Sequence, residues 1–304
     1  MEKNPKPAPF ICALALLFLT ASAWGQESRL NFDISHSINW TSKEVSSEVS
    51  FNLAGAGLRL PTGRFRAEEI LREAHPRFIR NFLLSVNVDS NSTVRDMLDR
   101  GEITFAELDA ISMGARKIPP SLSPDFSNMT GRYTVAIEKL SALLIRHRRA
   151  VSPTAPLLPT PTTDYTGIII IADNALPIQG RMGQALLQPC LFPKVWDTDM
   201  NLIYERNMFD PRLGEERLMV SYAVPESIFR PTPSGLDGEL AALLGSNPLR
   251  IIARGGFGIT PTDPIIDRQD ALSILSSENN HRLLREGRIL FVLNEEMLKD
   301  NPIR

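Results

Sequence analysis

The pattern of apolar and polar residues changes several times along the chain and predicts both strands and helices. Between residues 26 and 60 the two kinds alternate loosely, which predicts short strands joined by polar turns. Residues 64–86 place apolar side chains at intervals of three and four, the pattern of a helix with one buried face. Pro76 lies inside this pattern and is expected to kink or divide the helix.

The rest of the first half continues to mix the two kinds of element. Residues 85–94 predict a strand, and residues 94–115 predict one or two helical pieces, with Thr104 and Glu107 as a capping box. The segment IPPSLSPDFSNM predicts a proline-rich connection, and GRYTVAIEKLSALLI predicts a strand that leads to a helix or to a longer strand. Because no regular strand–helix–strand repeat is present, residues 26–150 are predicted to form an α+β domain.

Residues 151–163 are rich in proline and predict a semi-rigid, extended linker. Residues 164–304 then predict a second, mixed α/β sheet domain. It begins with the apolar strand GIIIIA, which ends at Asp173. Later segments predict a hairpin in PKVWDTDMNLIYERN, a strand in ERLMVSYAV, a short helix ending near Gly245, and a strand that enters the glycine-rich turn ARGGFG. One amphipathic helix capped near Asp267 and a last buried strand, RILFVLN, complete the domain.

The first 25 residues have the features of an export signal. Lys3 and Lys6 provide a basic start, residues 10–19 form a short apolar core, and small residues follow at a plausible cleavage point. An uncleaved anchor is the alternative, although about 20 apolar residues are needed to span a bilayer. The pattern predicts a protein of the periplasm or cell envelope, or a secreted one, with no membrane span after cleavage.

Composition and charge narrow the classes of function. A hydrophobic share of 43% and a net charge of −2 are typical of a globular protein without the basic field of a nucleic-acid-binding protein. The basic run IRHRRA, residues 145–150, predicts a solvated strand end before the linker, with a phosphate or anionic-lipid contact as the alternative.

After signal cleavage Cys190 is the one remaining cysteine, so no intramolecular disulfide forms and a small buried side chain is expected.

Candidate chemistry is sparse, and the sequence indicates no catalytic residue, metal site or cofactor. Asp173 ends a buried strand, but it lacks the second acid of a phosphoryl-transfer Asp-x-Asp pair. Asp197 and Asp199 resemble the start of a calcium-binding loop whose required glycine and glutamate are replaced by Leu202 and Met208. These aspartates are expected to end strands and shape turns. A carboxylate cluster of a hydrolase remains the enzymatic alternative.

A binding role gives a further alternative for the second half. Trp196, Tyr204 and Arg254 are candidates for the lining of a small-ligand pocket, which would lie between the two domains. Together with Asp173, Asp197 and Asp199, they form the set of candidate binding residues.

Two stretches resemble a bacterial envelope lipoprotein family. The segment RAEEILREAHPRFIRNFLLSVNVDSNSTVRDML, followed by GRYTVAIEKL, is similar to a pattern found in FlgP and in relatives of the flagellar accessory protein FlgT. The second half, from YTGIIIIADNALPIQGR to EGRILFVLN, looks like the domain that often follows it. This chain departs from the family in lacking a lipobox cysteine, in reading ADNA for DARG, and in reading DTDM for DEDG.

The resemblance implies an exported, non-enzymatic cell-envelope protein. Its partners would be other envelope proteins or further copies of itself, in a flagellum-associated assembly. The resemblance supplies no active-site residues. A carboxylate-dependent hydrolase and a periplasmic small-ligand-binding module remain the alternatives.

Overall fold

A computed structural model of the chain describes residues 30–229 and 238–299. The predicted export signal, residues 1–25, lies outside the described residues. Across the described residues, no helix combines the length and the apolar character that a membrane crossing requires. The predicted α+β class is confirmed, because mixed strands and helices build both the first and the second half of the chain.

The first half is built on an antiparallel sheet with one long helix across it. Its elements, in chain order, are β1 (Phe32–Asn39), β2 (Glu44–Asn52), α1 (Arg64–Leu83), β3 (Asn87–Asp89), β4 (Ser92–Thr93), α2 (Val94–Asp99), α3 (Phe105–Met113), β5 (Arg116–Leu122), β6 (Asn128–Ala136) and α4 (Ile137–Leu144). The sheet order is β1-β2-β6-β5, and β3 and β4 form a separate hairpin. Alternate residues of β2 are buried, and Val49 and Phe51 pack with Ala67 and Leu71 of α1.

Helix α1 is not divided at Pro76, so that part of the prediction is wrong. Proline lacks the N–H that would bind the carbonyl of Arg72 four residues earlier. The Nδ1 atom of His75 lies 3.0 Å from this same carbonyl oxygen. Because a carbonyl oxygen can only accept, the ring nitrogen donates the hydrogen bond. The helix therefore continues through Pro76 with the orphaned carbonyl satisfied.

The two short helices α2 and α3 follow the predicted local signals. Gly101 separates them with a φ of +72°, a conformation that favours glycine. Thr104 and Glu107 form the predicted capping box at the start of α3. Thr93 and Asp96 form a second one at the start of α2, which the sequence prediction missed.

The proline-rich connection predicted around residues 118–129 is wrong in its first part, which forms strand β5. This strand lies at the edge of the sheet, and its register with β6 shifts between Ile118 and Ser121, where Pro119 and Pro120 lie. An edge strand with an irregular register tolerates proline because one side of it needs no ladder hydrogen bonds. The run at residues 145–150 also differs from the prediction, because it follows helix α4 and not a strand.

The second half contains a parallel sheet and a second, mixed sheet. Its elements are β7 (Gly167–Ala172), β8 (Leu176–Pro177), β9 (Gln184–Ala185), β10 (Val195–Asp197), β11 (Leu202–Tyr204), β12 (Ser221–Ala223), α5 (Pro225–Phe229), α6 (Gly238–Leu244), β13 (Pro248–Ile252), β14 (Gly255–Phe257), β15 (Asp263–Ile266), α7 (Arg268–Leu275), α8 (Glu278–Arg285), β16 (Ile289–Leu293) and α9 (Glu295–Leu298). Short 3-10 turns occupy Arg206–Met208 and Pro211–Leu213. The parallel sheet has the order β12-β16-β7-β13, and the mixed sheet has the order β11-β10-β15-β14.

Three predictions for the second half need correction. The single amphipathic helix predicted after Asp267 is two helices, α7 and α8, separated by Ser276 and Ser277. The predicted glycine-rich turn is instead the short strand β14, in which Gly255 leaves room for the backbone of Pro177. The final helix α9 was not predicted.

The two halves share the largest of three hydrophobic clusters in the described part of the chain. In this cluster, the rings of Trp40 and Tyr222 meet edge to face with their centroids 5.5 Å apart. Backbone hydrogen bonds also cross between the halves, as from Phe192 N–H to the carbonyl of Val88 at 2.8 Å. The halves are therefore packed against each other through apolar and polar contacts.

Candidate functional site

The mixed sheet brings three of the six candidate residues to one edge. Strands β10 and β15 run in parallel, so the turn after Asp197 and the start of α7 lie side by side. Arg254 reaches the same edge, because its N–H donates to the carbonyl of Ile265 at 2.7 Å. Asp197, Asp199 and Arg254 therefore lie near one another. A shallow cavity of about 170 Å³ at this edge is lined by Arg254, Thr198 and Met200, among others.

Asp197 has a structural task at this edge. Its side chain is buried, and Oδ1 accepts hydrogen bonds from the backbone N–H groups of Asp199 at 2.9 Å and Asn201 at 2.7 Å. Its Oδ2 accepts from the amide of Asn201 at 2.8 Å. This bonding closes the β10–β11 turn, in which Met200 has a φ of +61°. Both carboxylate oxygens are thus used within the turn, as the sequence predicted for a turn-forming aspartate.

The other charged groups of this edge are arranged as two ion pairs. Arg268 Nη1 lies 2.9 Å from Asp199 Oδ2, and Arg254 Nη2 lies 2.6 Å from Asp267 Oδ2. Asp270 adjoins the second pair, and partial burial, followed by repulsion from Asp267, raises the pKa of its carboxyl. Asp267 is the N-cap residue of α7, but its side chain makes no capping hydrogen bond, and its Oδ2 accepts from Arg254.

Trp196 lies beside a buried carboxylate that the sequence analysis did not single out. Its Nε1 lies 3.4 Å from Oδ2 of Asp263, a fully buried residue at the start of β15. Asp263 Oδ1 accepts from Lys194 N–H at 3.1 Å and from the Thr262 hydroxyl at 2.8 Å. Burial raises the pKa of Asp263, while these donors oppose the rise. The sequence did carry one sign of this site, because Asp263 is the single acidic residue at the start of the apolar strand segment DPII.

Tyr204 and Asp173 lie apart from this edge. Tyr204 is fully buried, and its hydroxyl donates to the carbonyl of Leu284 at 2.8 Å, so its ring belongs to the core. Asp173 follows β7 in the parallel sheet, where Oδ1 accepts from Asn174 at 2.9 Å and its carbonyl accepts from Asn294 at 3.3 Å. The structure therefore places Asp173 and the pair Asp197 and Asp199 at the ends of different sheets.

Cys190 is buried, as expected for a small core side chain. The Tyr222 hydroxyl donates to its carbonyl at 2.7 Å and accepts from its N–H at 3.1 Å. Burial raises the pKa of the thiol well above its ordinary value. Within residues 30–229 and 238–299, no three His, Cys, Asp or Glu side chains are grouped closely enough to hold a metal ion.

A cavity of about 330 Å³ lies between the two halves. Lys43 in the β1–β2 turn lines it from the first half, while Tyr222, Leu240 and Leu243 supply apolar surface from the second. Four charged side chains of both signs face it: Lys43, Glu216, Arg217 and Glu239. Lys43 and Glu239 form an ion pair across the cavity. No local motif distinguished these residues, because the cavity exists only when the halves pack together.

Comparison with known proteins assigns a relative to each half of the chain. Residues 31–143 match the family model of the N-terminal domain of Treponema pallidum Tp0624. Residues 167–295 match the family model of the second domain of the same protein. The chain has no match among the curated proteins. The two halves of this chain are therefore similar, in the same order, to the first two domains of Treponema pallidum Tp0624.

Proposed function

We propose that this chain is an exported, non-enzymatic cell-envelope protein that acts by binding other proteins. The features of residues 1–25 support export. The observation that carries the proposal is the bonding of the candidate acids. Both carboxylate oxygens of Asp197 accept hydrogen bonds within its own turn, and Asp199 forms an ion pair with Arg268. This bonding supports a structural role for the two aspartates over a catalytic role in a carboxylate-dependent hydrolase.

The finer form of this proposal places the protein in an assembly of envelope proteins or of its own copies. The resemblance of residues 66–98 and 131–140 to the FlgP pattern supports a flagellum-associated assembly. A decisive test starts with fractionation of the producing cell and in-cell cross-linking. We expect the mature chain in the envelope fraction, cross-linked to defined partners. A mature chain in the cytoplasm, or one with no cross-linked partner, would overturn the proposal.

A second candidate function is the binding of a small ligand between the two halves, and the 330 Å³ cavity favours it. Cations at Lys43 and Arg217 and carboxylates at Glu216 and Glu239 fit the two charges of a zwitterion such as an amino acid or a short peptide. Tyr222 and Leu240 would contact its apolar part.

Thermal unfolding with and without free amino acids and dipeptides tests this second function. Binding would raise the midpoint temperature of the wild-type chain, because a ligand that binds the folded state stabilises it. Lys43→Met should abolish the increase, whereas Lys117→Met, on the edge strand β5 and outside the cavity lining, should retain it. An equal response of both variants would count against a ligand in this cavity.

A further inference from the structure

Phe126 combines two unusual properties at the turn between β5 and β6. Its backbone φ is +55°, in the left-handed region where a bulky side chain is strained, and its side chain is 64% exposed. The turn is fixed by Asp125, whose carboxylate accepts from the Ser123 hydroxyl and from Ser127 N–H. Neither burial of the ring nor backbone preference favours phenylalanine here. A strained and exposed aromatic residue therefore points to a contact outside the chain.

Other exposed apolar residues lie at the same end of the first sheet. Leu53 N–H, in the loop between β2 and α1, donates to the carbonyl of Ser127 at 2.8 Å, so this loop lies beside the β5–β6 turn. Leu58 and Leu60 of the loop are only partly buried. Phe65 lies in the first turn of α1 and is 71% exposed. Helical side chains are tilted toward the N-terminus of their helix, so Phe65 extends toward this end. Leu58, Leu60, Phe65 and Phe126 are termed the aromatic end.

The chain enters the first sheet at the same end. Phe32, the first residue of β1, pairs with Phe51 of β2, and Phe51 pairs in turn with Met129, close to the β5–β6 turn. Ten residues, 20–29, separate the apolar core of the export signal from Leu30. Ten residues of chain span at most about 35 Å. While the signal occupies the membrane, the aromatic end is therefore held close to the bilayer surface.

Arginine side chains surround the aromatic end. Arg59, Arg64 and Arg66 are all exposed. Arg64 and Arg66 form ion pairs with glutamates of α1, but these pairs are exposed and therefore weak. Asp33 and Asp125 also lie near this end, and the Asp125 carboxylate is already bonded within its turn. Aromatic and leucine side chains beside arginine are typical of surfaces that bind the headgroup region of a bilayer.

We propose that the aromatic end docks on the surface of a phospholipid bilayer. Phe65 and Phe126 enter the headgroup region, and the three arginines lie at the level of the lipid phosphates. The bilayer is the occupant that the chain itself brings to this end, through residues 10–19. This inference rests on the proposed export to the envelope, but not on the binding of other proteins. It also orients the first half, with the strands of its sheet extending away from the membrane.

Co-sedimentation of the purified mature chain with vesicles of phosphatidylcholine and phosphatidylglycerol tests this proposal. Wild type should bind, and Phe65→Ser with Phe126→Ser should weaken binding at least about tenfold, because two apolar rings no longer leave water. The matched control is Leu157→Ser with Leu158→Ser, which removes two side chains that are even more exposed but belong to the proline-rich segment. The control should bind as wild type does. Equal binding by wild type and the phenylalanine variant, or an equal loss in the control, would overturn the proposal.

Phe126→Gly separates a lipid contact from a role in folding. Glycine adopts a positive φ without steric cost, so this variant should be at least as resistant to urea as wild type while its vesicle binding falls. A variant that unfolds at lower urea concentration than wild type would show that the ring stabilises the fold. That result would overturn its assignment to the bilayer.

The cellular experiments distinguish failure of this inference from failure of the proposed function. An envelope chain that cross-links to protein partners but does not bind vesicles would overturn the bilayer contact alone. A photoreactive residue at position 126 that captures a defined protein, and no lipid, would replace the bilayer with a protein partner. A chain that remains in the cytoplasm would overturn both proposals. Capture of lipid at position 126, with none at position 157, would support the bilayer contact.

Discussion

His75 donates a hydrogen bond from Nδ1 to the carbonyl of Arg72, the helical acceptor that Pro76 leaves without a partner. The imidazole is buried and stacks on the ring of Tyr133 with the ring centroids 3.9 Å apart. Burial lowers the pKa of His75, which favours the neutral ring with its proton on Nδ1. One side chain therefore repairs the backbone of α1 and packs against the sheet.

A double-mutant cycle can test this repair. His75→Phe keeps the stack on Tyr133 but leaves the Arg72 carbonyl unsatisfied, at a cost of about 1–3 kcal/mol in the free energy of unfolding. Pro76→Ala restores the helical N–H, so the same histidine replacement should cost less in that background. Urea denaturation of the four chains measures the coupling. If His75→Phe lowers the free energy of unfolding equally with and without the Pro76→Ala replacement, the His75 hydrogen bond does not compensate for the N–H that proline lacks.

The bonding of Asp197 predicts a contrast with its neighbour Asp199. Asp197→Ala removes the acceptor of the backbone N–H groups of Asp199 and Asn201, so we expect a loss of about 1–3 kcal/mol. Asp199→Asn removes only an exposed ion pair with Arg268, and a change of about 0–1 kcal/mol is expected. Thermal or urea unfolding compares the two variants. A larger effect at Asp199 would contradict the structural assignment.

The buried carboxyl of Asp263 predicts a dependence of stability on pH. Its pKa is raised in the folded state, so its contribution to stability is complete below the ordinary value of about 3.9 and is lost as pH rises through the folded-state pKa. The free energy of unfolding of wild type relative to Asp263→Asn should therefore fall as the pH increases through the acid range. Denaturation curves at a series of pH values measure this difference.

Asp210 supplies a control of opposite sign for that experiment. Arg212 holds the pKa of the Asp210 carboxyl below its ordinary value, chiefly through side-chain hydrogen bonds. Its contribution is present above the unfolded-state pKa and is lost as pH falls through the folded-state pKa. The stability difference between wild type and Asp210→Asn should therefore shrink as the solution is acidified. The same slope for both variants would refute the assignment for Asp263.

Gly258 predicts a site where a single methyl group disturbs the contact between the two halves. Its φ is +118°, and a Cβ atom there would lie 2.4 Å from Cβ of Ser90 and 2.6 Å from the carbonyl oxygen of Thr260. Gly258→Ala therefore combines backbone strain with a collision, and we expect a loss of more than about 2 kcal/mol. Gly57→Ala is the matched control, because Gly57 also has a positive φ but a Cβ atom there would meet nothing within 4 Å.

Urea denaturation and limited proteolysis measure the effect of the two glycine replacements. The Gly57 variant should lose about 1 kcal/mol from strain alone, without faster cleavage of the chain. Gly258→Ala should unfold more readily and be cleaved faster. If the Gly258 variant is as stable as the Gly57 variant, Ser90 can shift to accommodate the methyl group, and the contact between Gly258 and Ser90 is not tightly packed.

Elements that depend on local pattern were predictable from the sequence. The apolar run of β7, the hairpin around Asp197 and the capping box of Thr104 each carry their own signal within a few residues. Strand β5 was not predictable in this way, because its prolines are acceptable only at a sheet edge, and the sheet order is not a local property. The break between α7 and α8 lacks glycine and proline, so no strong helix-ending signal marked it.

For the candidate site too, the features set by neighbouring residues could be predicted and those set by the whole fold could not. The turn role of Asp197 could be read from its polar neighbours, whereas the burial of Tyr204 depends on packing among distant segments. Asp263 was missed because its partners include Lys194 and Trp196, which lie almost seventy residues earlier in the chain and are brought to it only by the fold. The cavity at Lys43 and Glu239 likewise joins residues nearly two hundred positions apart.

The core shared by the two halves also constrains how this chain can change over evolutionary time. Trp40 and Tyr222 belong to different halves yet occupy adjoining space, so a larger ring at one position requires a smaller side chain at the other. Neither half can be exchanged for that of a distant relative without a mismatch along this boundary. Substitutions on the two sides should consequently appear in correlated pairs, and the two halves should be inherited together.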